Sequence, residues 1–82
     1  MDQLLRQTLE AFVAYERREG LPPTVRALAD ELGITSSPTF RRMQLLADEG
    51  LCRRRVDPNT PSPTRPWVLT DEGRGAAAEL KA

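Results

Sequence analysis

Apolar residues return along the first part of this chain at the spacing of a helix. Leu5, Leu9, Phe12 and Val13 fall at i, i+4, i+7 and i+8, one face of a helix over about 2–19. Asp2 is placed to cap it, and Gly20 to stop it. Leu21-Pro22-Pro23 then holds the chain extended. Thr24 is the next cap. Val25, Leu28, Ala29 and Leu32 repeat the pattern over a short second helix, about 25–32, which Gly33 closes. A third helix is predicted over about 38–49, with Ser36 or Ser37 as its cap and Pro38 in its first turn. Its inner stripe is Thr39, Met43, Leu46 and Ala47. Gly50 ends it, and Leu51 packs back on the helix end.

Beyond residue 50 the helical period is lost. Residues 51–56 read as a strand, with Cys52 the apolar member among Arg53, Arg54 and Arg55. Pro58, Pro61, Pro63 and Pro66 leave no regular ladder between 57 and 66. Trp67-Val68-Leu69 is a second short strand. Thr70 caps a last helix over about 71–81, with Asp71 and Glu72 in its first turn and Gly73 and Gly75 weakening its start.

The order is helix, helix, turn, helix, strand, loop, strand, helix. The predicted class is mainly α with a small β-hairpin. Three core helices, a two-stranded wing over about 51–69 and a short C-terminal helix make a winged helix-turn-helix, in one domain over 1–82. Two short helices joined by a glycine-containing turn, here within about 24–50, are the helix-turn-helix signature. Ala29 is small where the two helices cross. Gly33 permits the sharp turn, and Ile34 fills the gap. The third helix is then free to present its outer face to a major groove.

Composition changes this picture in two ways. The 82 residues carry no net charge, but the charge is unevenly placed. Residues 33–67 hold Arg41, Arg42, Arg53, Arg54, Arg55 and Arg65 against Asp48, Glu49 and Asp57, while the flanking stretches are net acidic. Arginine's planar fork suits phosphates and guanine edges. The chain also has no histidine and one cysteine, Cys52. Histidine-based acid–base or metal chemistry is thereby excluded, and Cys52 has no base to activate it. No enzyme activity, cofactor or metal is expected. The N-terminal residues form no signal peptide or span, so the expected location is the cytoplasm.

The residues Gly20-Leu21-Pro22-Pro23-Thr24, Leu28-Ala29, Leu32-Gly33 and Ser37-Pro38 resemble the N-terminal DNA-binding domain of LexA repressors. The Gly33-to-Gly50 spacing and Leu69-Thr70-Asp71-Glu72-Gly73 are similar to MarR-type winged-helix regulators. The third helix reads one residue shorter than the LexA pattern. The resemblance implies a winged-helix fold that binds duplex DNA, without the self-cleaving domain of LexA repressors.

The candidate DNA-binding residues of the third helix are Ser36, Ser37, Thr39, Phe40, Arg41, Arg42 and Gln44, with Arg41 and Gln44 expected on base edges. Arginine and glutamine make bidentate contacts to guanine and adenine. Phe40 has a second reading as a packing residue, and Leu45 is expected to pack against the first or last helix. Thr24, Arg53, Arg55 and Arg65 are the candidate phosphate or minor-groove contacts. Arg54 points the other way by strand alternation and is expected to matter less. The predicted partner is double-stranded DNA, bound by a homodimer acting as a small transcriptional regulator through operator occupancy. Neither a membrane nor a small-molecule ligand is expected. The alternative is a winged-helix protein–protein adaptor in a replication, recombination or phage complex.

Overall fold

A computed structural model describes residues 2–55 and 67–80. Helix α1 spans Gln3–Glu19, α2 Val25–Leu32 and α3 Ser36–Asp48. Strands β1 (Cys52–Arg54) and β2 (Trp67–Leu69) pair antiparallel, and α4 covers Asp71–Leu80. Four helices and one hairpin in this order form a winged helix-turn-helix. No helix among the described residues is long and apolar enough to cross a membrane.

The caps follow from side chains that satisfy orphan backbone donors. Asp2 accepts from Leu4 N at 2.7 Å, Thr24 from Ala27 N at 2.9 Å, and Thr70 from Gly73 N at 3.0 Å. Helix α3 is the exception. It begins at Ser36, two residues before the predicted start, and neither Ser36 nor Ser37 is the cap. Thr35 takes the extended cap conformation, with no side-chain cap bond. Pro38 allows this because first-turn N–H groups have no intrahelical partner, so their loss at any such position costs little.

The two inner turns of the helix-turn-helix are closed by backbone alone. Gly33, at φ 70°, lets its own N–H reach Asp30 O at 3.2 Å and that of Ile34 reach Ala29 O at 3.0 Å. Gly50, at φ 78°, repeats the device, with Leu51 N on Leu46 O at 2.9 Å.

Leu5, Leu9 and Phe12 of α1, Leu28 of α2 and Met43 and Leu46 of α3 form the centre of the core. Cys52, Trp67, Leu69 and Ala77 extend it under the hairpin and α4. Two hydroxyls are buried in this apolar setting, and each is satisfied within its own helix. Thr8 donates to Leu4 O at 2.8 Å and Thr39 to Thr35 O at 2.9 Å.

The third-helix end is bolted to the start of α4. Thr70 N donates to Leu51 O at 3.1 Å, and Thr70 Oγ1 donates to Gly50 O at 2.6 Å. Gly73 is buried at this junction, directly against the Leu51 carbonyl. By helix propensity alone Gly73 only weakens the start of α4. Close approach of two backbones is the reason it is there.

Candidate nucleic-acid interface

Helix α3 has two clearly different faces. Thr39, Met43 and Leu46 point inward and are fully buried. Ser37, Arg41, Gln44 and Asp48 recur at i, i+4, i+7 and i+11 on the opposite side, and all four are exposed. Ser36 is exposed at the start of the helix, and Arg42 is half-buried on its flank. The arrangement brings a guanidinium and an amide, one turn apart, to the outer surface. Asp48 closes the same face with a negative charge, so a polyanion is tolerated best along its N-terminal turns.

Two expectations for this helix need correction. Thr39 is 0% exposed and lies on the inner face, so it offers nothing to a duplex. Leu45 does not pack against α1 or α4. It is 45% exposed, because its helical neighbours at i−4 and i+3 are the outward Arg41 and Asp48. Phe40 takes its packing role: its ring meets Trp67 edge-to-face, with centroids 6.0 Å apart. Its remaining surface lines a shallow concavity with Val25, Ser36 and Ser37.

Thr24 sits beside that concavity at the start of α2, half-buried, with its oxygen engaged as the cap. Arg53 and Arg55 are exposed. Arg65 lies outside the described residues, as does most of the segment joining the strands.

Strand alternation turns Arg54 away from Arg53, and the register shows what it meets. Cys52 pairs with Leu69, Arg53 with Val68 and Arg54 with Trp67. The inward pair Cys52 and Leu69 therefore shares its face with Arg54 and Trp67. The Arg54 guanidinium lies over the Trp67 ring, 5.3 Å from its centroid. Trp67 Nε1 is buried with no hydrogen-bond acceptor among the described residues. The available signal was Cys52 itself: an apolar residue at the strand start fixes which of the following arginines turns inward.

The electrostatics separate two sides of the molecule. Arg18 pairs with Glu19 and Glu31, and Arg74 forks onto Glu16 at 3.2 Å through both nitrogens. Arg18 is held above its ordinary range by hydrogen bonds to Glu31 and Glu19. By contrast, none of Arg41, Arg42, Arg53, Arg54 and Arg55 forms an ion pair among the described residues. Their charge is available to a partner. Cys52 is the opposite case: burial pushes its thiol up to about 11, and its Sγ–H donates to Met43 O at 3.3 Å. That thiol is a packing group, not a nucleophile.

The chain is similar to LexA repressors. It is 37% identical to the LexA repressor of Frankia alni over 78 aligned positions, which cover 87% of this chain and 30% of the relative. With the LexA repressor of Frankia casuarinae the identity is 39% over 78 positions, covering 94% of this chain and 29% of the relative. The chain thus spans about 30% of the length of the curated relatives it matches. No family model matches it, and no solved structure matches at a significant level.

Proposed function

We propose that the chain is the DNA-binding part of a transcriptional regulator. Helix α3 enters the major groove, and its outward face reads the bases. Arg41 and Gln44 are the base-reading side chains, since their forks match guanine and adenine edges. Ser36 and Ser37 approach the flanking backbone, and the wing arginines neutralise phosphates. The chain forms one domain, and two copies on a two-fold site repress by occupancy, because a single module this size reads few bases. This reading contains no catalytic step, cofactor or metal.

One observation carries it: Arg41 and Gln44 stand together, exposed and with no ion pair among the described residues, on the outer face of α3 in a winged helix-turn-helix. Similarity to proteins named as repressors supports the same reading. The protein-adaptor alternative gains nothing specific from either.

The test is selection of a preferred site from random duplexes, followed by anisotropy titrations from low to moderate salt. The expected result is binding whose log–log salt slope is roughly −3 to −6 for a dimer neutralising three to six phosphates. Sedimentation with the selected duplex should show two copies per site. Absence of binding at low salt overturns the proposal.

A further inference from the structure

The hairpin divides its arginines between two faces. Arg53 accompanies Val68 on the outer one. The inner face, carrying Cys52, Arg54, Trp67 and Leu69, is the one that meets α3. Cys52 donates to the Met43 carbonyl there, and Trp67 packs against Phe40. Arg54 prolongs this face past the edge of the core. It is exposed, makes no ion pair among the described residues, and holds its guanidinium over the Trp67 ring. A chain of contacts, Arg54 over the Trp67 ring and Trp67 edge-to-face with Phe40, therefore runs from the hairpin to the recognition helix, ending one residue from Arg41.

We propose that Arg54 is a phosphate-binding residue on the face of the hairpin that meets α3, with Trp67 as its positioning residue. The proposal rests on the DNA-binding reading above. A guanidinium held over an aromatic face spends none of its N–H donors on that contact, so they are left to donate to a phosphate. Trp67 is 3% exposed and braced by Phe40, so the platform is fixed. An arginine on a fixed platform loses less freedom on binding than one extended into water. Arg53, on the outer face beside Val68, lacks this platform. The ligand class is the phosphodiester backbone of the duplex, next to the groove that α3 occupies.

The test uses the full chain and the selected duplex, titrated at several salt concentrations beside a scrambled duplex. Arg54→Gln should weaken both complexes roughly five- to tenfold near 0.1 M salt and flatten the slope by about 0.9 per bound copy. Arg54→Lys should restore the slope. Arg53→Gln should move it less. Trp67→Leu should reproduce the slope loss with Arg54 still present, and Arg54→Gln added to it should cost nothing further. Trp67→Phe, which keeps a ring, covers the case in which Trp67→Leu does not fold, and should fall between wild type and Arg54→Gln. An unchanged slope in Arg54→Gln, on a chain that binds DNA, overturns the phosphate role and leaves the DNA-binding reading standing. Additive losses at Arg54 and Trp67 overturn the positioning role. A wild-type chain that binds no duplex overturns both readings together.

Discussion

Gly73 and Leu51 are in backbone contact: a Cβ added at Gly73 would lie 1.8 Å from the Leu51 carbonyl oxygen. The same carbonyl accepts from Thr70 N, so it is fixed from both sides. Nothing there is a flexible side-chain end that could move away. Gly73→Ala must therefore separate α4 from the end of α3. Overpacking a rigid core typically costs about 1–3 kcal/mol, and a backbone obstacle places this case at the upper end or beyond. Gly75 is the internal comparison, one helical position pair further on, with nothing within 4 Å of its Cβ site. Gly75→Ala should stabilise by about 0.5–1 kcal/mol through helix propensity. Urea unfolding of the two variants should give shifts of opposite sign.

The Cys52 thiol gives a pH-dependent prediction. Burial raises it from 9.0 to about 11, so the folded state keeps the proton that the unfolded state releases. Between about pH 9 and 11 the folded chain binds more protons, and stability falls as pH rises. The loss reaches the order of 2 kcal/mol when both limits are passed. Below pH 9 the group contributes no slope. Cys52→Ala should be less stable at neutral pH but should lack this part of the alkaline decline. At pH 8 the native thiol should resist a thiol reagent that modifies the urea-unfolded chain readily.

Thr39 separates packing from recognition. Its hydroxyl is buried and bonded to Thr35 O, so its role is within α3. Thr39→Val keeps the shape and removes both the donor and its need for a partner. Because the Thr35 carbonyl is a helix-start acceptor beside exposed residues, the expected stability change is within about 1 kcal/mol. DNA affinity and site preference should be unchanged. A shifted site preference would show that the inner face of α3 takes part in reading.

The elements were largely legible in the sequence because their punctuation is chemical. Asp2, Thr24 and Thr70 cap where a side-chain oxygen is three or fewer residues from an orphan N–H, and Gly33 and Gly50 end helices by taking positive φ. The start of α3 was not legible, since Ser36-Ser37-Pro38 fits a cap and a first turn equally well. On the site, the period of α3 was enough to place Arg41 and Gln44 outside. It was also enough to place Thr39 inside, against its inclusion among the candidate DNA-binding residues. What the sequence could not reveal was the partner of Arg54. That pairing depends on hairpin register, and a proline-rich link of a dozen residues leaves register open where a two-residue turn would have fixed it.

The outward face of α3 predicts two mutations that fail in opposite ways. Arg41 is exposed, with no ion pair among the described residues, in the middle of the face. Arg41→Ala should cost about 1–3 kcal/mol on the selected duplex and relax preference at one base pair, with a smaller effect on scrambled DNA. Asp48 stands two turns later on the same face and brings a carboxylate toward the same polyanion. Asp48→Asn removes that charge repulsion and keeps the size of the side chain. It should therefore tighten binding to selected and scrambled duplexes alike, by a factor that shrinks as salt rises, because screening already weakens the repulsion at a Debye length of about 8–10 Å. The measurement is a four-way comparison of the two variants on the two duplexes at low and physiological salt. If Asp48→Asn has no effect at low salt while Arg41→Ala does, the C-terminal turn of α3 lies clear of the DNA and reading is confined to the turns before it. If Arg41→Ala weakens both duplexes equally, Arg41 holds a phosphate, and base discrimination falls to Gln44.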